Sequence, residues 1–307
     1  MITKIKTNSR EEWLELRKKY IGGSDAAAVV GLNQYVSPYA LWAEKSGMVE
    51  GFSGNLSTEV GTYLEEFVAQ LFERKTGKKI HRENRSFLNS DYPFAIANID
   101  RKISGEDAGL EIKTCSELRM KAFANGEYPS NYYVQCMHYM AVTGLKKWYL
   151  AVLVGNHEFL IFEIERDEDE IEALMCAEKL FWDKVCNHIP PEMDGSQSTT
   201  DAISAIYPNE NDETADLSIF GDDLAMRANL KASVKALEEQ IGEIENRLKA
   251  AMGNCGSGVC GRWKVSWKTQ TRQTVNKKKL MAELGEGAAA FLEESESRVM
   301  RITEGKK

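Results

Sequence analysis

The sequence predicts an α/β fold in which a mixed central sheet is flanked by helices, with a C-terminal extension of one long helix and a small β-hairpin. Three observations predict it. In the first part of the chain the expected elements run helix, three strands, helix, strand, an order typical of α/β proteins. A polar stretch over residues 191–223 then interrupts the apolar pattern. After it, apolar residues recur at steps of three and four over about seven helical turns.

Composition and charge limit the class of protein. The chain has 307 residues, enough for one large domain or two smaller ones. Hydrophobic residues make up 43% and charged residues 28%, which excludes a mainly disordered chain, a collagen-like fibre and a polytopic membrane protein. The amino terminus lacks the apolar core of a signal peptide, so we expect a cytoplasmic protein with reduced cysteines and no membrane partner. The net charge of −8 argues only weakly against nucleic acid, because a local basic face can still bind phosphate.

We expect a globular domain over residues 1–190, a linker or surface excursion over 191–223, and an extension over 224–307. Helices in the first domain are predicted from caps and apolar faces. Ser24 or Asp25 is a suitable N-cap for one short helix, and Ser37 followed by Pro38 begins another. The helices are predicted over residues 10–19, 26–30, 38–44, 62–76, 132–143 and 167–187.

Strands of the first domain are predicted from apolar or alternating runs bounded by turn residues. The helix over residues 132–143 falls between the third and fourth of these runs, as in an α/β protein with a mixed sheet. The strands are predicted over residues 86–88, 94–103, 109–113, 148–154 and 158–164.

The extension begins with an amphipathic helix over residues 224–252, which Gly253 ends. A strand is expected over residues 261–269, a short helix over 277–284, and a second strand over 298–303.

Residues 253–282 contain no acidic residue and seven basic ones. Trp263 and Trp267 lie among them, and such a basic, aromatic region suits contact with a nucleic-acid backbone. Two alternatives stay open: a small module packed on the long helix with solvated lysines, or contacts between copies of the chain. The candidate backbone contacts are Arg262, Lys264 and Lys268.

The candidate catalytic residues lie on two otherwise apolar strands. Asp100 ends one, and Glu111 and Lys113 are two apart on the next, so both side chains point to the same face. Two carboxylates and one ammonium therefore converge, and Glu65 on the preceding helix is a candidate ligand for a second ion. Hard divalent ions such as Mg²⁺ prefer oxygen ligands of this kind, and the lysine suits the orientation of a water. The alternative is a solvated strand face, which the apolar context disfavours because a buried charge is costly.

Asp100, then Glu111-x-Lys113, after a helical Gly-x-x-x-Glu65, resembles the PD-(D/E)xK nuclease core. More narrowly, it resembles the bacteriophage lambda exonuclease and YqaJ-like viral recombinase family. The resemblance covers residues 10 to about 165 in order, although Ile99 stands where the motif's name has proline. Further matching motifs are Arg17-Lys-Lys-Tyr-Ile-Gly-Gly-Ser24-Asp25, Ser37-Pro-Tyr-Ala-Leu-Trp42 and Tyr132-Tyr-Val-Gln135.

The resemblance implies a Mg²⁺-dependent DNA exonuclease, with Mn²⁺ as a substitute, acting 5′→3′ on double-stranded ends. It would be encoded by a phage or prophage and leave 3′ single strands in the bacterial host. The implied partners are duplex DNA ends, a single-strand annealing recombinase and further copies of the chain in a ring. The alternatives are an endonuclease of the same core, or a non-catalytic DNA-binding or assembly protein. The intact charges of Asp100, Glu111 and Lys113 argue against the non-catalytic alternative.

The resemblance also implies a role for each site residue. Asp100 and Glu111, with the carbonyl of Ile112, would ligate the catalytic ion, and Glu65 would hold a second one. Lys113 would position and activate the attacking water.

Gln135 would complete the catalytic residues by touching the metal-bound water or the scissile phosphate. Arg17 and Ser24 would receive the 5′-terminal phosphate, with Tyr132 as a further DNA-binding candidate. Simpler interpretations stay open: a surface charge for Arg17, a helix cap for Ser24, and a half-exposed helix face for Gln135 and Tyr132.

Overall fold

The computed structural model describes residues 1–285, 287 and 298–303. The chain divides into two compact units, Met1–Pro208 and Asn209–Lys307. The strands of the first unit are β1 (Ile2–Ile5), β2 (Ile21–Gly22), β3 (Ile80–Arg82), β4 (Ser86–Asn89), β5 (Tyr92–Ala97), β6 (Arg101–Ile103), β7 (Ala108–Cys115), β8 (Lys147–Val154) and β9 (Glu158–Glu165). Its α-helices are α1 (Arg10–Lys18), α2 (Gly23–Val29), α3 (Pro38–Lys45), α4 (Leu56–Thr76), α5 (Ser130–Thr143), α6 (Glu168–Cys186) and α7 (Gln197–Ile206).

The strands of the first unit form two sheets. One has the order β1-β4-β5-β2 and the other the order β3-β6-β7-β8-β9. In the second sheet β7 and β8 are parallel and are connected through α5, while the remaining pairs are antiparallel. A helical crossover between parallel strands is the connection that α/β proteins use. The predicted α/β class with a mixed sheet flanked by helices is therefore confirmed.

The strand expected over residues 94–103 is wrong as one element. β5 ends at Ala97 in the first sheet, and β6 begins at Arg101 in the second. Polar side chains stabilise the break between them. Asn98 Oδ1 accepts hydrogen bonds from Trp13 Nε1 at 3.1 Å and from Ser86 Oγ at 2.6 Å. The chain thus passes from one sheet to the other immediately before Asp100.

Helix α4 packs against the second sheet through a narrow apolar face. Val68, Ala69 and Phe72 are buried there, and Phe72 makes an edge-on ring contact with Tyr149 of β8. A capping box with Asn55 as N-cap starts this helix six residues earlier than the pattern predicts. Burial of this face sets the rotation of α4 about its own axis, and this rotation sets the direction of the Glu65 side chain.

Part of the segment expected to be a linker or surface excursion folds into the first unit. Helix α7 packs against α3, where Thr199 Oγ1 donates a hydrogen bond to Ser37 Oγ at 2.8 Å and Ala202 is buried. The first unit consequently extends to Pro208 rather than to residue 190. The Ser and Thr residues in and before α7 have the composition of a linker. In the structure, however, Ser196 is the N-cap of this helix.

The second unit contains the predicted long helix and hairpin: α8 (Gly221–Met252), β10 (Ser257–Cys260), β11 (Trp263–Ser266) and α9 (Lys277–Leu284). The N–H of Trp267 donates to the carbonyl of Gly256 at 3.0 Å and extends the hairpin by one bond. The strand expected over residues 298–303 is wrong, because these residues have no regular structure. Within the described part of the chain, every helix is too short or too polar to cross a membrane.

Candidate active site

Asp100, Glu111 and Lys113 meet at the point where β6 stops pairing with β7. The last residue pair between these two strands joins Arg101 to Leu110. Two residues further along β7, the backbone N–H of Ile112 donates instead to Asp100 Oδ2 at 2.8 Å. The carboxylate of Asp100 thus takes the place of the missing strand partner, and this bond holds it against β7.

Glu111 and Lys113 share one face of β7, as their spacing predicts. Lys113 Nζ lies 2.5 Å from Glu111 Oε1, and the Glu111 side chain is 3% exposed. Ile112, between them, points to the opposite face and is buried in the cluster that contains Phe72.

Burial is the largest influence on the pKa of both carboxylates. Burial raises the pKa of Asp100 well above its ordinary value, and the charge of Glu111 raises it further. Burial likewise raises the pKa of Glu111, while Lys113 opposes the shift. For Lys113 burial acts downward, yet the two carboxylates raise its pKa above the ordinary value. One ammonium therefore faces two carboxylates, and an added cation would relieve the repulsion between them.

The oxygen atoms at this edge fit a hard divalent cation. Glu111 Oε2 is buried and accepts no hydrogen bond, a costly state unless another partner binds it. Because the N–H and C=O of one strand residue point to the same side, the carbonyl of Ile112 faces the edge where its N–H meets Asp100. Two carboxylates and one carbonyl form an oxygen donor set of the kind that Mg²⁺ takes in proteins.

Glu65 lies beside this group but is engaged by arginines. Its charge contributes to the raised pKa of Asp100 and of Glu111. Its Oε1 accepts hydrogen bonds from Arg101 Nη1 at 2.5 Å and from Arg82 Nη2 at 3.0 Å. Among the described residues, no three His, Cys, Asp or Glu side chains converge in a geometry that could hold a metal ion. The predicted second ligand is thus near the first two, although the structure does not bring all three together.

Helix α5 presents Tyr132, Gln135 and Tyr139 to the site, at the spacing of one helical face. Gln135 Nε2 donates to Glu111 Oε1 at 2.7 Å and to the hydroxyl oxygen of Tyr139 at 2.9 Å. Lys113 Nζ lies 5.4 Å from the ring centre of Tyr132, within range of a cation–π contact. Gln135 and Tyr132 are both buried, which excludes the half-exposed helix face as their explanation.

Arg17 and Ser24 lie together beside the start of α2. Arg17 Nη2 donates to Ser24 Oγ at 2.9 Å, and the Arg17 guanidinium lies over the ring of Trp13 at 5.0 Å. Gly22, rather than Ser24 or Asp25, is the N-cap of α2, so the expected N-cap is wrong. Asp25 takes part in capping from the third helical position, where its Oδ2 accepts a hydrogen bond from the Gly22 N–H at 3.0 Å. The side chain of Ser24 faces Arg17 and is exposed to solvent.

Sequence reasoning missed the ion pair of Asp25 with Lys45 beside Arg17. Lys45 Nζ lies 2.7 Å from Asp25 Oδ2 and donates to the backbone carbonyl of Arg17 at 3.1 Å. Burial acts to raise the pKa of Asp25, but Lys45 and Arg17 together hold it below the ordinary value. The position of Asp25 next to Ser24 was a usable signal. Lys45 offered none, since a lysine in the last turn of a helix is usually a surface residue.

Tyr139 lies between helix α2 and Gln135, which contacts the Glu111 carboxylate. A Cβ atom placed on Gly23 would lie 2.4 Å from the Tyr139 ring, so the backbone of α2 packs directly on that ring. The Tyr139 hydroxyl in turn accepts the hydrogen bond from Gln135. Residue 23 thus needs glycine for close approach.

The three basic candidates of the extension lie in the second unit and are exposed. Arg262 precedes β11 and its guanidinium lies 5.2 Å from the ring centre of Trp263. Lys264 is on β11 and Lys268 follows it. Their contact with DNA stays a prediction.

Comparison with known proteins gives a family and a fold. Residues 12–146 match the YqaJ-like viral recombinase domain. Over 286 residues the chain is 37% identical to the uncharacterized protein YqaJ of Bacillus subtilis strain 168, covering 91% of this chain and 90% of that protein.

Among solved structures, an alkaline exonuclease from Laribacter hongkongensis has a similar fold. The TM-score is 0.51 at 20% sequence identity, and the match covers 58% of this chain and 94% of that one. The same exonuclease in complex with dAMP matches with a TM-score of 0.50 at 20% identity over the same shares. This likeness shows that the chain shares the mixed α/β fold of that exonuclease.

Proposed function

Because the chain belongs to the YqaJ-like viral recombinase family, we propose that it is a divalent-metal-dependent deoxyribonuclease. Its reaction is the hydrolysis of phosphodiester bonds, 5′→3′ from the ends of duplex DNA. The observation that carries the proposal is the buried, unpartnered Oε2 of Glu111, which lies beside a second carboxylate and an ammonium. A buried carboxylate oxygen without a hydrogen-bond partner is stabilised when a cation binds it.

Asp100, Glu111 and the carbonyl of Ile112 would hold the ion, for which Mg²⁺ is the expected choice and Mn²⁺ a substitute. Bound there, the ion would lower the pKa of a water and stabilise negative charge on the phosphate. Glu65 would be a ligand of a second ion, on the side of the leaving group.

Lys113 is suited to hydrogen bonding rather than to proton abstraction. Glu111 and Asp100 favour its protonated form. Its ammonium then donates to the attacking water and to phosphate oxygens as negative charge develops on them. Tyr132 limits the positions that Nζ can adopt, because its ring lies at 5.4 Å.

Arg17 and Ser24 are proposed to bind the 5′-terminal phosphate. A guanidinium and a hydroxyl that already contact each other offer several donors to one phosphate group. Trp13 and Asp25 hold the guanidinium in place. Such a pocket directs a nuclease to ends and gives the 5′→3′ polarity, with 3′ single strands as the product.

The partners expected from the resemblance belong to the same proposal. They are duplex DNA ends, an annealing recombinase that receives the 3′ strand, and further copies of the chain in a ring. The exposed Arg262, Lys264 and Lys268 would contact the DNA backbone and give a salt-dependent contribution to affinity.

The test compares three substrates: linear duplex with 5′-phosphate ends, the same duplex with 5′-hydroxyl ends, and a closed circle. Each is incubated with Mg²⁺ or EDTA, using the wild type and Lys113→Ala. We expect Mg²⁺-dependent loss of the 5′-phosphorylated strand, with the circle intact and cleavage by Lys113→Ala slowed by about 10²-fold or more. Cleavage of the circle would instead indicate an endonuclease, and binding without any cleavage would indicate a non-catalytic DNA-binding protein.

A further inference from the structure

Two arginines face each other across neighbouring strands beside the candidate active site. Arg82 of β3 is paired directly with Arg101 of β6, and like charges in that position destabilise a sheet. The Arg101 side chain is moreover only 3% exposed. A guanidinium is retained in such a place only where fixed partners neutralise it.

The partners of Arg101 are two neighbouring carboxylates of α4, those of Glu65 and Glu66, and the backbone of Asp100. Nη1 donates to Glu65 Oε1 at 2.5 Å and to the carbonyl oxygen of Asp100 at 2.8 Å. Nη2 donates to Glu66 Oε2 at 2.9 Å. One buried guanidinium thus ties α4 to the chain at the point where it enters the second sheet.

We propose that Arg101 is a positioning residue that fixes Glu65 for a second divalent cation. This inference rests on the proposed function, since it concerns the ion that Glu65 would hold. Both arginine hydrogen bonds reach Oε1 of Glu65, so Oε2 is the oxygen that remains for the cation. Through its bond to the Asp100 carbonyl, the same guanidinium also fixes the backbone that carries the first carboxylate.

Arg101 does not act as a competitor that must leave when the cation arrives. Two of its three hydrogen bonds go to the Asp100 carbonyl and to Glu66, neither of which is a proposed ligand atom. These bonds hold the guanidinium in place whichever group Oε2 contacts. Arg82 differs, because its side chain is 57% exposed, and an exposed ion pair contributes little. Arg82 is therefore the matched control.

The probe is Mn²⁺ alone, titrated without DNA into the full-length wild type, Arg101→Gln and Arg82→Gln, with bound ion counted by electron paramagnetic resonance. We expect two ions on the wild type. Arg101→Gln should keep the first and bind the second about 10- to 100-fold more weakly, the usual effect of removing a group that orients a metal ligand. Arg82→Gln should bind both with nearly unchanged affinity.

Arg101→Lys keeps a positive charge at the buried position and tests whether the loss of the second ion is only a loss of folding. We expect it to melt near the wild-type temperature in EDTA and still to bind the second ion weakly, since an ammonium cannot reach Glu65, Glu66 and the Asp100 carbonyl together.

Wild-type affinity for both ions in Arg101→Gln, or tighter binding, overturns the inference. A wild type that binds one ion also overturns it but leaves the proposed function standing, whereas a wild type that binds none overturns both.

Discussion

Gln135 Nε2 lies 2.7 Å from Oε1 of Glu111 and donates a hydrogen bond to it. The ammonium of Lys113 contacts the same oxygen at 2.5 Å. Both donors therefore approach one side of the carboxylate, and Oε2 is left buried without a partner. This asymmetry leaves Oε2 as the Glu111 oxygen available to the catalytic ion that we propose.

Replacing Gln135 with leucine should weaken the site without emptying it. The substitution removes one of the two donors on Glu111 Oε1 and leaves the carboxylate free to rotate. We expect Mn²⁺ affinity to fall about tenfold, as for other residues that orient a metal ligand. Titration with Mn²⁺ measures the change, and an unaltered affinity would show that Lys113 alone orients Glu111.

Replacing Lys113 with alanine should separate catalysis from ion binding. We expect cleavage to fall by about 10²- to 10³-fold, the usual effect of losing one donor to developing charge. Mn²⁺ affinity should be kept or increased, because a positive charge next to the ligands has gone. Lys147→Ala serves as the control, since Lys147 begins β8, at the end away from Lys113, and pairs with Glu163 and Glu165 of β9. A Lys113→Ala protein with wild-type cleavage would contradict the role given to the ammonium.

The sequence predicts those parts of this site in which the residues in contact are close together along the chain. The period of two on β7 predicts that Glu111 and Lys113 share a face, and their contact confirms it. The apolar segment before Asp100 suggests one strand, but it is shared between two sheets, and that depends on Trp13 and Ser86 holding Asn98. No local sequence pattern predicts these contacts, because Trp13 and Ser86 lie 85 and 12 residues from Asn98.

The residues around the carboxylates were harder to predict for the same reason. Arg101 adjoins Asp100 in sequence, yet its role depends on Glu65 and Glu66, which lie 36 and 35 residues away. Helix α7 was missed because its residues are mostly polar, and only packing on α3 shows that it belongs to the first unit. The family resemblance supplied roles for Gln135 and Arg17 that spacing alone does not give.

Replacing Gly23 with alanine should destabilise the protein and disturb the site. The added Cβ would lie 2.4 Å from the Tyr139 ring, and overpacking of this kind costs about 1–3 kcal/mol. We expect a lower urea midpoint, together with slower cleavage because Tyr139 supports Gln135. The matched control is Gly195→Ala, where the new methyl group meets open space. Equal midpoints for the two variants would show that α2 does not pack on Tyr139 as described.

Replacing Asp25 with asparagine should reduce selectivity for 5′-phosphorylated ends. Asp25 holds Arg17 and Lys45, and removing one partner of a buried ion pair leaves the other uncompensated. We expect the ratio of cleavage rates on 5′-phosphate and 5′-hydroxyl ends to fall about tenfold, since a charge-assisted contact contributes about 1.5 kcal/mol or more. The ratio is independent of the fraction of folded protein. Asp183→Asn, which removes an exposed helical ion pair, should leave the ratio unchanged; an equal ratio in Asp25→Asn would exclude a role for the ion pair in end recognition.

Acid stability should depend on Glu83. Hydrogen bonds from Arg85 and Lys4 lower the pKa of Glu83 to about 2, against burial, which acts upward. A carboxylate with a depressed folded-state pKa stabilises the protein above its unfolded pKa of about 4.3, and this stabilisation is lost as the pH falls toward about 2. Glu83→Gln should therefore lower the urea midpoint at pH 6 and have a smaller effect at pH 3. A difference that grows toward low pH would have the wrong sign.

The most direct test of the metal site is single-turnover hydrolysis of a 5′-phosphorylated, 5′-labelled linear duplex by the wild type and by Glu111→Gln across a range of Mg²⁺ concentrations. The wild type should release the labelled 5′ nucleotide first, with a rate that saturates in Mg²⁺ and is zero in EDTA. Glu111→Gln, which removes the charge and keeps the shape, should release none at any concentration. Hydrolysis in EDTA, or hydrolysis by Glu111→Gln at the wild-type rate, would contradict the account.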